Sequence, residues 1–155
     1  MKIFIYFLMI CIFFSACETN SHKQTAEKTA LPIQDTWKLI SGTLIENGDT
    51  TITDYTKDIS FIKVINNNHF AFLSHDLHKG KNADSAFSAG GGAYSLKDSL
   101  YTEHLEYCND RQWEGNDFAF TITINNDTLT QTGIEKVESA GVNRLNVEKY
   151  SRMKN

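Results

Sequence analysis

From Asp35 to the C-terminus, apolar and polar residues alternate with a period of two far more often than with the period of an α-helix. Such alternation is typical of half-buried β-strands, and short groups of Asn, Asp, Gly and Ser interrupt it as turn residues do. The sequence therefore predicts an all-β domain without a helix of ordinary length. The predicted strands are 36–45, 59–65, 69–74, 92–96, 100–107, 117–125, 128–132 and 146–153.

The connectors between neighbouring strands are short and rich in residues that tolerate a positive φ, as at 66–68, 97–99 and 125–127. Connections of this kind pair successive strands antiparallel. Eight strands in up-and-down order can close into a small barrel, because closure removes the exposed sheet edges. The interior then holds side chains or one small ligand. We therefore predict an eight-stranded up-and-down antiparallel β-barrel, with a β-sandwich as the alternative.

The alternation also predicts which side chains point inward, because residues two apart share one face of a strand. In each strand we take the more apolar face as the inner one. The inward set is Phe70, Phe72, Tyr94, Tyr101, Glu103, Leu105, Tyr107, Phe118, Phe120, Ile122 and Ile124. The predicted interior is thus aromatic, with scattered polar groups.

The N-terminus has a different pattern. Met1 and Lys2 give a positive start, and residues 3–14 form an apolar run that fits a signal-peptide core but is too short to span a bilayer. Small residues then precede Cys17, as in the lipobox of bacterial lipoproteins, whose cysteine is lipidated. A plain secretory signal or a buried core helix are the alternatives, and neither requires Cys17.

The segment 18–30 contains no large apolar residue and cannot bury enough surface to order itself. These observations divide the chain into three parts. We expect a lipoprotein signal peptide at 1–16, a flexible tether at 17–33 that carries lipidated Cys17, and the barrel domain at 34–155. The expected location is the cell envelope, with attachment to the membrane through the lipid.

Charge and cysteine content limit the binding partners and the disulfide bonds that are expected. Loss of Lys2 with the signal leaves 14 basic against 19 acidic residues, a formal net charge of −5 (14 − 19), which disfavours nucleic acid as a partner. Cys11 leaves with the signal and Cys17 carries lipid, so Cys108 has no cysteine partner within the mature chain. The core alone must therefore hold the fold together.

Three stretches resemble the calycin superfamily, in particular the lipocalin-like lipoproteins of Bacteroidetes-type bacteria. They are TWKLISG at 36–42, GGGAYSLKDSLYTEHLEY at 90–107 and VEKYSRMK at 147–154. Calycins place a tryptophan of the first strand against a basic residue of the last strand at the closed end of the barrel. The resemblance implies that Trp37 and Arg152 form this pair here, as a cation–π contact worth ~1 to 2 kcal/mol when partly desolvated.

Glu103 is the sharpest candidate for a functional residue. A carboxylate among aromatic side chains is desolvated and must be paired or have a raised pKa, and such groups often mark ligand sites. The alternatives are a structural hydrogen bond, an ion pair with Arg152, or a rotated strand that leaves Glu103 in water. The candidate ligand-binding residues are Phe70, Phe72, Tyr94, Tyr101, Glu103, Phe118 and Phe120.

Other motifs point to no chemistry. The glycines at 90–92 lack the spacing of a phosphate-binding loop and precede a strand, which favours a bulge or a tight strand entry. Potential metal ligands at 75–78 and Asp84 have no spacing that makes them converge, so solvated loop residues are the favoured interpretation. Cys108 has no histidine within reach, since His104 is four residues away along the predicted strand. We expect no metal, no cofactor and no catalysis.

The sequence thus favours a membrane-anchored binding protein whose barrel holds a small apolar or amphipathic molecule. The alternative is a structural or interaction protein of the envelope, with a barrel filled by its own side chains. An enzyme would need titratable groups that meet in one cleft, and the sequence predicts no such cluster. A hollow interior would favour the first hypothesis, because ligand cavities typically measure ~300 Å³ or more.

Overall fold

A computed structural model describes residues 31–81 and 87–154. The predicted signal peptide, Cys17 and nearly all of the tether lie outside these residues. The described chain forms strands and two short 3₁₀ helices, η1 (Arg111–Trp113) and η2 (Glu138–Ala140). The strands are β1 (Asp35–Glu46), β2 (Asp49–Asp54), β3 (Ile59–Ile65), β4 (His69–Asp76), β5 (Phe87–Lys97), β6 (Leu100–His104), β7 (Tyr107–Cys108), β8 (Asp117–Asn125), β9 (Thr128–Val137) and β10 (Val142–Arg152).

These strands form one closed antiparallel barrel. The sheet order is β2, β1, β3, β4, β5, β6, β8, β9, β10, and β10 pairs back onto β1 from Trp37 opposite Arg152 to Ile45 opposite Leu145. Two barrel positions are occupied by interrupted strands, because β2 and β3 follow one another along β1, and β6 and β7 follow one another along β5. The barrel therefore has eight strand positions in up-and-down order, which confirms the predicted fold.

The two ends of the barrel differ. The closed end contains the turns at 66–68, 97–99 and 125–127, and the chain enters the domain there. At this end Trp37 is fully buried, its Nε1 donates to Ile33 O at 2.8 Å, and the Arg152 guanidinium lies 4.3 Å from the centre of its ring. The open end carries the β1–β2 turn, η1 and η2.

The alternation of β8 is confirmed, since Phe118, Phe120 and Ile122 are all buried. The largest fully buried side chains of the core lie mostly toward the closed end, and Val137 lies at the open end beside η2. They are Trp37, Tyr101, Tyr150, Leu39, Ile122, Leu129, Gln131 and Val137. Since most of these residues are apolar, their burial supplies the main stabilisation of a domain that has no disulfide among its described residues.

The predicted strand 100–107 is wrong in its second half. After β6 the chain leaves the sheet, and Leu105 N donates to Asn116 O while Glu106 N donates to Gly91 O. This two-residue interruption changes the alternation, so Tyr107 is 69% exposed instead of pointing inward. Strand β2 was not predicted either, because its sequence DTTITD is exposed on both faces and lacks an apolar set.

The glycine run lies within β5, where the neighbouring backbone approaches closely. A Cβ at Gly92 would lie 2.0 Å from His104 O, and one at Gly91 would lie 2.5 Å from Phe70 O. The glycines therefore make room for the interrupted β6–β7 strand and for β4.

Candidate ligand-binding cavity

The open half of the barrel is hollow. A cavity of about 350 Å³ lies between the packed closed half and the open end, and it is reached by side chains from most strands. Its apolar walls are largely aromatic. The aromatic lining consists of Tyr55, Phe61, Phe72, Trp113, Phe118 and Phe120. Since ligand pockets start at ~300 Å³, the cavity is large enough for a small molecule.

The aromatic rings pack on one another and are thereby held in place. Phe61 and Phe72 stack with ring centres 5.8 Å apart, and Tyr55 meets Phe61 edge-on at 5.9 Å. On the other side Trp113 of η1 packs against Phe118 at 5.7 Å. Contacts of this geometry stabilise beyond the area they bury, so the walls form a preorganised surface.

A buried ion pair forms the deepest polar part of the cavity. Lys63 of β3 points inward, and its Nζ donates to Glu103 Oε1 at 2.8 Å and to Gln131 Oε1 at 3.1 Å. Lys63, Glu103 and Gln131 are all buried. The ammonium also lies 5.3 Å from the centre of the Tyr150 ring. Burying this ammonium is tolerable because it is paired and hydrogen-bonded.

A second carboxylate, Glu148 of β10, joins this group. Its Oε2 lies 3.8 Å from Lys63 Nζ and accepts hydrogen bonds from Gln131 Nε2 at 3.2 Å and from Tyr150 Oη at 2.7 Å. We call Lys63, Glu103, Gln131 and Glu148 the interior polar cluster. With one ammonium and two carboxylates, the ionised cluster carries a net charge of −1.

The pKa values in the interior polar cluster reflect its excess of carboxylates over ammonium groups. Burial alone would lower the pKa of Lys63, but the Glu103 and Glu148 carboxylates more than offset this and raise the pKa. Burial raises the pKa of Glu103, and Lys63 only partly opposes that rise, while Glu148 adds to it. The cluster therefore attracts positive charge.

A buried tyrosine lies beside this cluster. Tyr101 is completely buried, and its hydroxyl lies close to the Glu103 carboxylate. Burial, followed by the nearby Glu103 carboxylate, raises the pKa of Tyr101 far above its usual range. The hydroxyl is therefore neutral at physiological pH.

A second polar group lies nearer the open end. Arg144 Nε donates to Glu135 Oε2 at 2.7 Å, and Asn146 Nδ2 donates to Glu135 Oε1 at 2.7 Å. The Arg144 guanidinium lies 5.3 Å from the centre of the Trp113 ring. Both oxygens of Glu135 are thus engaged, and the arginine is held between a carboxylate and an aromatic face.

The structure divides the seven predicted ligand-binding residues into two groups. Phe72, Glu103, Phe118 and Phe120 line the cavity. Phe70, Tyr94 and Tyr101 do not, because they belong to the packed half of the barrel. Phe70 and Tyr101 are buried in the core, and Tyr94 packs on Tyr101 at 5.2 Å and donates from its hydroxyl to Asn66 O. These three residues pack on the closed-end side of the cavity and do not line it.

Arg152 and Glu103 do not meet. Arg152 stays at the closed end, where it covers Trp37, donates to the Asp35 carboxylate and lies 3.7 Å from Asp127 Oδ1. The suggested ion pair between Glu103 and Arg152 is therefore wrong, and Lys63 is the partner of Glu103. The arginine and the tryptophan have the relative placement that the calycin resemblance implies.

Sequence reasoning missed the other members of the interior polar cluster, although a signal was present. In β3, Phe61, Lys63 and Ile65 share a face, so the lysine lies on an otherwise apolar inward set. In β10, Arg144, Asn146, Glu148 and Tyr150 share a face in the same way. A charged residue on the otherwise apolar inward face of a strand was therefore the signal that could have predicted the interior polar cluster.

The remaining candidates lie elsewhere or carry no chemistry. Cys108 lines the cavity, and burial raises the pKa of its thiol, which makes the thiolate less accessible. His75 Nδ1 contacts Asp76 O, and His78 Nε2 contacts Asp58, both in exposed positions, while Asp84 lies outside the described residues. Within residues 31–81 and 87–154, no three His, Cys, Asp or Glu side chains converge as a metal site.

Comparison with protein-family models and with characterised proteins gives no match for this chain. The class of this protein is therefore described by its fold and its cavity alone. It is a closed eight-stranded antiparallel β-barrel whose open half contains a cavity. Among the described residues there is no helix of the length and apolarity that crossing a membrane requires.

Proposed function

We propose that this protein is a membrane-anchored envelope lipoprotein whose lipocalin-like barrel binds a small apolar or amphipathic molecule. The observation that carries the proposal is the aromatic cavity of about 350 Å³ in the open half of the barrel. A barrel that served only as a rigid scaffold would be expected to fill its interior to the usual packing density. The protein performs no chemistry on its ligand in this proposal.

The position of the cavity mouth is compatible with a lipid anchor at the N-terminus. Residues 31–33 enter the domain at the closed end, where Ile33 contacts Trp37, and the cavity opens at the opposite end. Because the tether at 17–33 is expected to be flexible, a lipid at Cys17 would fix the location of the barrel without fixing its orientation, and it would leave the mouth of the barrel unobstructed by the entering chain. Such an arrangement keeps the cavity accessible to molecules in the surrounding compartment.

Ligand binding can be tested with the purified protein. Native mass spectrometry checks for a co-purified small molecule, and titration with phenethyl alcohol tests whether the cavity takes a small neutral ligand. Phe120→Trp adds volume to the wall and should weaken binding at least about tenfold, since overpacking a filled site is costly. Phe87→Trp lies on the exposed surface and serves as the matched control. Equal affinities in both variants would contradict the proposal.

The anchor needs its own experiment, because it depends on residues 1–17 alone. Cells that express the protein are labelled with a fatty acid, and the mature protein is weighed by mass spectrometry. We expect a diacylated N-terminal cysteine at Cys17 and loss of the label in Cys17→Ala. A mature chain that begins elsewhere, or a label that persists in Cys17→Ala, would contradict the lipoprotein assignment.

The outer surface supports a second candidate, an interaction protein of the envelope. Leu73, Phe87 and Tyr107 are 41%, 63% and 69% exposed on the outside of neighbouring strands β4, β5 and β7. Apolar groups that cluster on an exposed face often mark a contact surface. A photo-cross-linker at Phe87, compared with one at exposed Ile52, tests this in cells. Equal or absent cross-linking at both positions would contradict the second candidate.

A further inference from the structure

The cavity lining has more acidic than basic groups. Its charged residues are Lys63, Glu103, Asp110, Glu135, Arg144 and Glu148. Two cations thus face four carboxylates, and the formal charge of the lining is −2 (2 − 4). A ligand that enters this cavity exchanges water for a negatively charged and partly desolvated surface, which favours a cation over an anion.

Both basic residues of the lining are already neutralised by close partners. Arg144 Nε lies 2.7 Å from Glu135 Oε2, and Lys63 Nζ lies 2.8 Å from Glu103 Oε1. Neither cation is therefore free to recruit an anionic ligand without breaking a short ion pair. Breaking such a pair inside a protein is costly, because it leaves a buried charge uncompensated.

The surplus carboxylate at depth is Glu148. Lys63 approaches it only to 3.8 Å, and its other two partners, Gln131 and Tyr150, are neutral donors. Within residues 31–81 and 87–154 these contacts all fall on Oε2, which leaves Oε1 of this cavity-lining side chain for a ligand.

The aromatic walls of the cavity also favour a cationic ligand. The cavity that holds the interior polar cluster is also lined by Phe61, Phe72, Phe118 and Phe120. An organic cation is attracted by aromatic rings as well as by carboxylates. The volume limits the size of the molecule. About 350 Å³ holds roughly a dozen non-hydrogen atoms, since a water molecule in the liquid occupies about 30 Å³.

We infer that the ligand is a small organic monocation, a protonated amine on an apolar or aromatic body of about a dozen non-hydrogen atoms. Its ammonium group lies against Glu148, and its body lies among the phenylalanines. This inference rests on the proposed function and narrows it to one chemical class.

Three probes of nearly equal shape separate the possibilities. They are phenethylamine, which is a cation at neutral pH, phenethyl alcohol, which is neutral, and hydrocinnamate, which is an anion. Calorimetric titration of the unmodified protein should give an affinity for the amine about tenfold above that for the alcohol, and weaker binding of the anion. The order should persist at high ionic strength, because screening acts weakly on buried charges.

A matched pair of variants locates the effect. Glu148→Gln should abolish the preference for phenethylamine over phenethyl alcohol, so that the two affinities of this variant agree within about twofold. Glu138→Gln removes the same charge from the surface, outside the cavity lining, and should leave the preference unchanged. A cooperative thermal unfolding transition shows that each variant is folded.

An amine that binds no more tightly than the alcohol, or a preference that survives in Glu148→Gln, would overturn the inference while leaving the proposed function intact. If Glu148→Gln does not fold, the order of the three probes on the unmodified protein still decides. Failure of all three probes to bind, the neutral alcohol included, would count against the proposed function itself.

Discussion

Lys63 and Glu103 lie forty residues apart in the sequence, on strands β3 and β6, and form a buried ion pair with 2.8 Å between Nζ and Oε1. Glu148 approaches the same ammonium from β10. With Gln131 of β9, the interior polar cluster joins four strands across the barrel interior. Because it lies where the packed half meets the cavity, it affects both the stability of the fold and the chemistry offered to a ligand.

Removal of the lysine should be strongly destabilising. Lys63→Met leaves the buried Glu103 carboxylate and the half-buried Glu148 carboxylate without their cation, and we expect the free energy of unfolding to fall by ~3 to 5 kcal/mol. Denaturant unfolding measures this change. Lys57→Met, which breaks an exposed ion pair with Asp54, is the control and should cost less than ~1 kcal/mol. The double variant Lys63→Met/Glu103→Leu should recover part of the loss, and an additive double variant would contradict the pairing.

The closed end should depend on the contact between Trp37 and Arg152. Arg152→Gln removes the cation from the indole face and from the Asp35 carboxylate, so we expect a loss of ~1 to 2 kcal/mol in the free energy of unfolding. Lys154→Gln removes a neighbouring exposed charge and should have little effect. Thermal unfolding distinguishes the two variants, and equal stabilities would show that the stacked arginine contributes nothing.

Gly92→Ala should destabilise the barrel, although alanine normally favours ordered backbone over glycine. Its Cβ would lie 2.0 Å from His104 O and 2.8 Å from Glu106 N, so β5 or the interrupted strand must move. We expect a loss of ~1 to 3 kcal/mol by denaturant unfolding. Ser95→Ala, at an exposed position of the same strand, should change stability by less than ~0.5 kcal/mol. A stabilised Gly92→Ala would contradict the close approach.

Two buried tyrosines should resist ionisation in the folded protein. Burial raises the pKa of Tyr101 and Tyr150 above the ordinary value of about 10, so the native state holds protons that the unfolded state releases. Stability should therefore fall as the pH rises above about 10. Alkaline titration followed by phenolate absorbance should show a late step that coincides with unfolding.

Tyr101→Phe and Tyr150→Phe should each reduce the amplitude of that late step. Protein unfolded in urea provides the reference, because all tyrosines should then ionise near the ordinary pKa of about 10. A folded protein whose tyrosines all ionise together near that value would contradict the buried placement.

The residue pattern alone was sufficient to predict the all-β class, the barrel and much of its interior. The alternation in β8 places Phe118, Phe120 and Ile122 on one face, and a strand in a closed barrel must turn its apolar face inward. Local pattern is informative here because the period of a strand does not depend on its neighbours. The local pattern gave the wrong orientation for Tyr107, because the interruption at Leu105 and Glu106 between β6 and β7 turns this side chain outward.

The prediction of a lipid anchor at Cys17 comes from the sequence alone, because a short apolar run followed by a lipobox is a linear signal. Which charged groups meet inside the barrel was decided only by the tertiary structure. The register between strands brings Lys63 to Glu103 and Glu148 and keeps Arg152 with Trp37 at the other end. Such pairings depend on how distant strands are aligned around the barrel, and no local periodicity contains that alignment.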